Sequence, residues 1–317
     1  MSILSFKKSQ EMFFKEYDET ASNLTKYFRT KRNVYETATL FDQLSLTQDR
    51  DNPFESAIAA LAQFGALQCF MKVQDTAKTV QTAISAARLF IKTAEYNFII
   101  SRCIRETWAE SLTDGLHCYR VAADLLKNNN KPYLATQVLM ELGNVEQKFD
   151  FAHNAANTFE EATNVIINGH APLPLLFNAV TAAICSYNKV ERFDLALAVL
   201  LKAQEHFFDN ESAWVSPSPL MKRQYHDLLL YHAILLLMTF NHDQCIKYAQ
   251  ENLDADVADI FKELVTYTKG HLLYQVDQVI EKAKATKKFS PPHLSLFDKH
   301  LMLLSKAVEH GFTNVMS

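Results

Sequence analysis

The chain has 317 residues with only 6 Gly, 8 Pro and 48% hydrophobic residues. That is too few turn formers for a β-rich fold and suits long helices joined by short connections. A net charge of -4 and a pI near 6.3, with both signs interspersed, supply no basic field for nucleic acid. The five cysteines, Cys69, Cys103, Cys118, Cys185 and Cys245, are scattered, show no CxxC spacing and read as reduced thiols of a cytosolic protein.

The opening MSILSFKKSQ has no apolar core of signal-peptide length. A first helix is predicted from Ser9 to Thr30, with Phe13, Tyr17, Ala21, Leu24 and Phe28 on one stripe. Lys31-Arg32 is expected to turn, and Asn33 to cap a second helix, with Glu36 completing a capping box. Asn52-Pro53-Phe54-Glu55 is a stronger start signal, for a helix over Pro53 to Lys72. A fourth helix is expected over Thr76 to Thr93, and Phe98 to Ser101 is ambiguous. Helix resumes from Arg105 to Lys127, and Asn128-Asn129-Asn130 breaks it.

Pro132 to Lys148 and Phe151 to Ile167 form the best-defined helical hairpin. Leu142, Gly143, Ala155, Phe159 and Ala162 fall at tetratricopeptide offsets. Small residues there let two helices approach, and Phe159 fills the space between them. Gly169 is the expected helix stop. A weaker unit follows, with Tyr187, Ala196, Leu200 and Ala203 in the equivalent places and Ile184 where glycine is expected. Ala155 and Ala196 are 41 residues apart, against about 34 in the standard repeat. Residues 210–218 read as a linker holding Trp214, and Ser218-Pro219 as the start of a helix reaching Phe240. Its apolar run, Leu228 to Phe240, is too short for a membrane span. Helices over Asp243 to Asn252, Ala255 to Lys269, Leu272 to Lys287 and from Pro291 to a stop at Gly311 complete about thirteen.

The expected fold is all-α, a right-handed tetratricopeptide-like solenoid. Residues 1–209 would form N-terminal repeats, 210–218 a linker, and 219–317 a continuation of the same stack. Phosphate-loop, Rossmann, GxSxG and HExxH patterns do not occur. Asp254-Ala255-Asp256 fails as a calcium loop at Ala258 and Asp259. His226, His232 and His242 lack i, i+4 spacing, and His117-Cys118 point about 100° apart on a helix. Glu160-Glu161 reads as a solvated face. The chain is therefore expected to be no enzyme, with no cofactor and no metal. Lys26, Arg29, Lys31 and Arg32 form a basic cluster that reads as a solvated helix end or as a docking patch for an acidic partner. With Trp214 they are the candidate partner-binding residues.

Several stretches, in colinear order, carry a family resemblance. They are Phe14, Tyr17, Ser22 to Lys26, Phe28 and Asn33-Val34; Phe41 and Leu44; Ala86-Ala87-Arg88-Leu89-Phe90; Leu139, Glu141-Leu142, Phe159 and Ala162; Pro172-Leu173; and Ala196 to Val199. On these the chain resembles the 40-kDa huntingtin-associated protein family. It departs from the vertebrate pattern in lacking an Ala- and Gly-rich start and a Pro-rich insert near Asn210 to Pro219. The resemblance implies a helical scaffold wedged between the repeat lobes of huntingtin, each protein stabilising the other. It also implies a link to early endosomes through a small GTPase, a role in vesicle traffic, and a cytoplasmic location with early-endosomal and nuclear pools. No nucleic-acid contact and no integral membrane contact are expected. The other reading is a vesicle-fusion adaptor resembling the soluble NSF-attachment proteins, with Ile3, Leu4 and Phe6 as a membrane-contacting start.

Overall fold

The computed structural model describes residues 3–26, 31–49, 51–101, 103–169, 172–209 and 218–309. Among them are fourteen helices and no strand. They are α1 (Ile3–Lys26), α2 (Lys31–Leu46), α3 (Pro53–Val73), α4 (Thr76–Ile100), α5 (Glu106–Asn128), α6 (Pro132–Lys148) and α7 (Ala152–Asn168). Then follow α8 (Leu173–Lys189), α9 (Phe193–Asp209), α10 (Pro219–Met238), α11 (His242–Asn252), α12 (Ala255–Lys269), α13 (Leu273–Ala285) and α14 (Pro291–Glu309). The chain divides into two compact units, Met1–Val145 and Glu146–Ser317, and the division falls inside α6. The linker expected at 210–218 lies outside the described residues except for Ser218.

In the first unit, Val34, Ala38 and Phe41 of α2 meet Ala66, Cys69 and Phe70 of α3, with Tyr17 and Ala21 of α1 packed against them. Phe13, Leu44, Ile58 and Ala62 form an adjoining cluster. α3 packs on α2 and α4, and α4 on α5. Helix α3 is long and apolar enough to cross a membrane by length and composition, yet most of that window is buried inside the unit. Four of its five alanines, Ala59, Ala60, Ala62 and Ala66, are fully enclosed, as in a core helix with neighbours on several sides. In the second unit each helix from α7 to α14 packs on the next where both are described, and α10 also touches α8 and α14.

Most helix starts follow the sequence signals. Asn52 Oδ1 accepts from the Phe54 N–H at 3.1 Å, and Pro53 opens α3. Glu55 accepts from the Asp49 N–H at 2.7 Å, so it ties down the preceding turn instead of closing a capping box. Ser218 caps α10 through the Met221 N–H at 3.2 Å. The expected turn at Lys31-Arg32 and the expected Asn33 cap are both wrong, because α2 begins at Lys31. Asn33 lies within the helix, where its carbonyl accepts from Thr37 Oγ1 at 2.8 Å. Glu36 pairs with Arg32 Nε at 2.9 Å, an i, i+4 contact that supports the helical turn in which a cap was expected. The fourth helix also overruns its expected end at Thr93 and continues through Ile100.

The hairpin turns share one backbone solution that does not use glycine. Gln74, Asn130, Asp150, Glu191, Phe240 and His271 all adopt φ between 55° and 65°. In each turn the next residue's N–H reaches back five residues, as in Asp75 to the Phe70 carbonyl at 3.2 Å and Asn241 to the Leu236 carbonyl at 2.9 Å. This paired closure satisfies carbonyls that a helix end leaves open. Gly169 and Gly270 do stand at helix ends, but with φ of -96° and -85° neither takes the left-handed role. His271 takes it instead of Gly270.

Glycine matters more inside helices. A Cβ on Gly115 would lie 2.7 Å from Ile91 Cδ1, 2.9 Å from Ile91 Cγ1 and 3.2 Å from the Ala87 carbonyl oxygen. α5 therefore approaches α4 as closely as the absent side chain permits. The repeat residues are also interior: Leu142, Ala155, Phe159, Ala162, Tyr187, Ala196 and Ala203 are fully buried, and Gly143 is buried as well.

Two substitutions test these constraints by urea unfolding. Gly115→Ala would gain up to about 1 kcal/mol from helix propensity, but overpacking costs about 1–3 kcal/mol. The variant should be less stable than the parent, with recovery on adding Ile91→Val. A more stable Gly115→Ala protein would show that the contact is not tight. Gln74→Gly should stabilise by about 0.5–1 kcal/mol, because a left-handed L-residue costs roughly 1–2 kcal/mol and the added unfolded-chain entropy offsets only part of that.

Candidate interaction surface and polar clusters

Of the basic cluster expected near the first turn, only the side chains of Lys31 and Arg32 lie among the described residues. Lys26 ends α1, Lys31 and Arg32 sit exposed in the first turn of α2, and Arg29 lies outside the described residues. Lys31 and Arg32 thus face the positive end of a helix dipole, not the negative end that the solvated-helix-end reading required. The Arg32–Glu36 pair offsets that cost at one position. Trp214 also lies outside the described residues.

A different surface stands out, at the end of α4. Thr93 Oγ1 donates to the Pro53 carbonyl at 3.4 Å, which sets the start of α3 level with Thr93. Asn97 Nδ2 donates to the Thr107 carbonyl at 2.9 Å, which sets the first turn of α5 level with Asn97. α4 runs on to Ile100, about 10 Å past the start of α3 at 1.5 Å per residue. Ile99 is 80% exposed, Ile100 62% and, in the connection to α5, Ile104 54%. Exposed Phe54 stands nearby, its ring 6.0 Å from that of Tyr96. Four large apolar side chains around one projecting helix end form a surface of the kind that partners cover. The sequence held a signal for it: the stripe Ala83, Ala87, Phe90 and Ala94 is buried, and helical spacing puts Ile99 and Ile100 off that stripe.

The polar clusters are structural in geometry. Arg88 grips Glu141 with Nε at 2.7 Å and Nη2 at 2.9 Å, and the Tyr119 hydroxyl donates to Glu141 Oε1 at 2.6 Å. The Arg88 hydrogen bonds hold the Glu141 carboxyl below its ordinary range. In the second unit the Tyr187 hydroxyl donates to Glu160, and Thr158 Oγ1 to buried Glu146 at 2.7 Å. Asp254 and Asp256 do not line a cation site, because Lys288 Nζ sits 3.0 and 2.7 Å from them. His117 is exposed while Cys118 is buried, its thiol pushed up to about 12 by burial, so the two do not form a nucleophile and base. All five cysteines are free thiols, and Cys103 alone among them is exposed.

The histidines do not converge either. His232 Nδ1 lies 2.9 Å from Gln204 Oε1, with its ring against Tyr248. His293 Nδ1 accepts from the Ser290 N–H at 3.1 Å, and its Nε2 donates to the Asp227 carbonyl at 3.2 Å. His300 Nε2 meets Thr268 Oγ1 at 3.0 Å. Burial lowers the pKa of each of these three to about 4. His242 is lowered too, by burial and then Lys269. Among the described residues no group of three or more His, Cys, Asp or Glu could hold a metal ion.

No protein-family model matches the chain, and no curated protein matches it.

The three neutral histidines make the second unit acid-sensitive. Their folded pKa values lie below the unfolded value of 6.5, so the unfolded chain binds more protons between pH 6.5 and about 4. Stability is full above 6.5 and falls through that window, by roughly 2 kcal/mol for one such histidine at pH 5. The stability that Glu141 gives the first unit is full above its ordinary value of 4.5 and is lost only as pH falls from there through its lowered pKa. Hydrogen exchange from pH 7 to 4.5, corrected for intrinsic rates, should show α10, α12 and α14 losing protection before α3 to α5. Equal loss in both units would contradict this.

Proposed function

We propose that the chain is a non-enzymatic scaffold that binds huntingtin between that protein's helical-repeat lobes, each stabilising the other. On this reading the helices stack as a right-handed tetratricopeptide-like solenoid. The complex acts in early-endosome and vesicle traffic from the cytoplasm, with a small GTPase as a further contact. The observation that carries the scaffold reading is the aliphatic tip of α4, where Ile99 and Ile100 at the end of a well-packed helix and Ile104 in the following connection face solvent. Exposed aliphatic groups of this size gain roughly 1.5–3 kcal/mol each when a partner covers them fully. A partner that binds only the folded chain raises its stability by mass action, which accounts for mutual stabilisation. The polar groups favour the same reading, since the buried histidines and the Arg88–Glu141–Tyr119 cluster engage neighbouring helices and not an open cleft. The name of the partner rests on the colinear sequence matches.

Co-expression with the huntingtin of the same organism tests both parts. The parent chain should co-purify with it. Ile99→Asp/Ile100→Asp should lower complex yield at least about tenfold, about 1.4 kcal/mol of binding, with little change in its own melt, because both side chains are already in water. Failure of the parent to co-purify would remove huntingtin as the partner. An undiminished yield with the double variant would remove the α4 tip as the contact.

A further inference from the structure

A cleft of about 440 Å³ opens within the second unit between α8 and α10, and none of the functional readings uses it. Asn178 and Thr181 line it from α8, Gln224 and Asp227 from α10, and Gln147 from the end of α6, with Phe177 contributing an apolar wall. Asn178 and Thr181 are three residues apart, as are Gln224 and Asp227, so each pair lies on one face of its helix. The volume falls in the range of small-ligand sites.

Its polar groups do not balance. Gln224 Oε1 is buried and has no hydrogen-bond partner. Gln147, which also lines the cleft, commits its Nε2 to Ser186 Oγ at 2.6 Å, so its amide brings an acceptor oxygen and not a free donor pair. Asp227 receives His293 Nε2 on its backbone carbonyl, not on its carboxylate. Among the described residues no ion pair forms at that half-buried carboxylate, and Arg223 and His226 act on it through space. Burial outweighs them and raises the Asp227 pKa above its ordinary value. An unpaired amide oxygen and a half-buried carboxylate are both costly to leave without donors. The cleft therefore has an unpaired buried acceptor, a half-buried carboxylate and an apolar wall.

We propose that this cleft binds a guanidinium group, with Asp227 and the side-chain oxygens of Gln224 and Gln147 accepting its N–H donors. A guanidinium suits the cleft better than an ammonium. Its planar fork serves several acceptors at once, and its weakly hydrated faces tolerate the Phe177 wall. The group comes either from an arginine side chain of a partner polypeptide or from a free guanidino compound.

Titration calorimetry on the full chain distinguishes these sources. The probes are N-acetyl-arginine-amide, the matching citrulline and lysine amides, and a Gly-Ser nonapeptide with one central arginine. The arginine amide should bind saturably, and the neutral citrulline analogue at least tenfold more weakly. Asp227→Asn should lower arginine binding at least tenfold while holding or raising the melting temperature, because it removes an unpaired half-buried charge. Gln224→Met provides a second variant of similar volume and should also weaken binding. Tighter binding of the peptide than of the amide would identify a polypeptide partner, and equal binding a free guanidino compound. Absence of saturable binding by either arginine probe, equal binding of citrulline, or unchanged binding in both variants would overturn the proposal.

Discussion

How closely two helices approach depends on what stands at their line of contact, and here it is repeatedly alanine or glycine. Ala83, Ala86, Ala87 and Ala94 on α4, Gly115, Ala122 and Ala123 on α5, and Ala155, Ala156 and Ala162 on α7 are all enclosed. Large side chains then fill the spaces beside the contact lines, as Phe159, Tyr119 and Tyr187 do. Close approach also removes water from the helix surfaces, so hydroxyls placed there must find partners on the spot. Thr79, Thr93, Thr163 and Ser186 each donate to the carbonyl four residues back. This arrangement gives each of these hydroxyls a partner on its own helix, and Thr93 and Ser186 bond across to a neighbouring helix as well.

Those same contact lines were the part of the fold most legible in the sequence. Small residues at tetratricopeptide offsets marked α6, α7 and α9, and Asn52-Pro53 and Ser218-Pro219 marked helix starts by backbone chemistry that is local. Lys31-Arg32-Asn33 misled because a cap and an i, i+4 ion pair use the same Glu36, and the letters do not say which bond forms. The ends of helices were less legible than their middles. α4 continues past Thr93 because its last turns hold to Pro53 and Thr107, residues of other helices, through bonds that no local pattern records. The candidate surface was missed for a related reason. Ile99 and Ile100 look like core residues by composition, and only the phase of the helix turns them outward.

The two units use titratable groups differently. In the first, Arg88, Glu141 and Tyr119 join α4, α5 and α6 by charge-assisted bonds that leave the arginine largely exposed to water. In the second, the imidazoles of His232, His293 and His300 serve as neutral packing groups beside aromatic rings, each with a hydroxyl, amide or carbonyl partner. A neutral imidazole offers one donor and one acceptor on an apolar body, which suits a buried junction between helices. Asp227 and Gln224 depart from this economy. His232, His293, His300 and Thr158 have their bonds within the fold, whereas Gln224 Oε1 in the α8–α10 cleft is a buried acceptor without one.

The hairpin turns carry a consequence for ancestry. Each is closed by main-chain atoms around a left-handed residue, and that residue is in turn Gln, Asn, Asp, Glu, Phe or His. An apex that accepts six different side chains leaves no letter for selection to hold. Sequences can drift there while the geometry persists, and a repeat built this way loses its spelling long before it loses its shape.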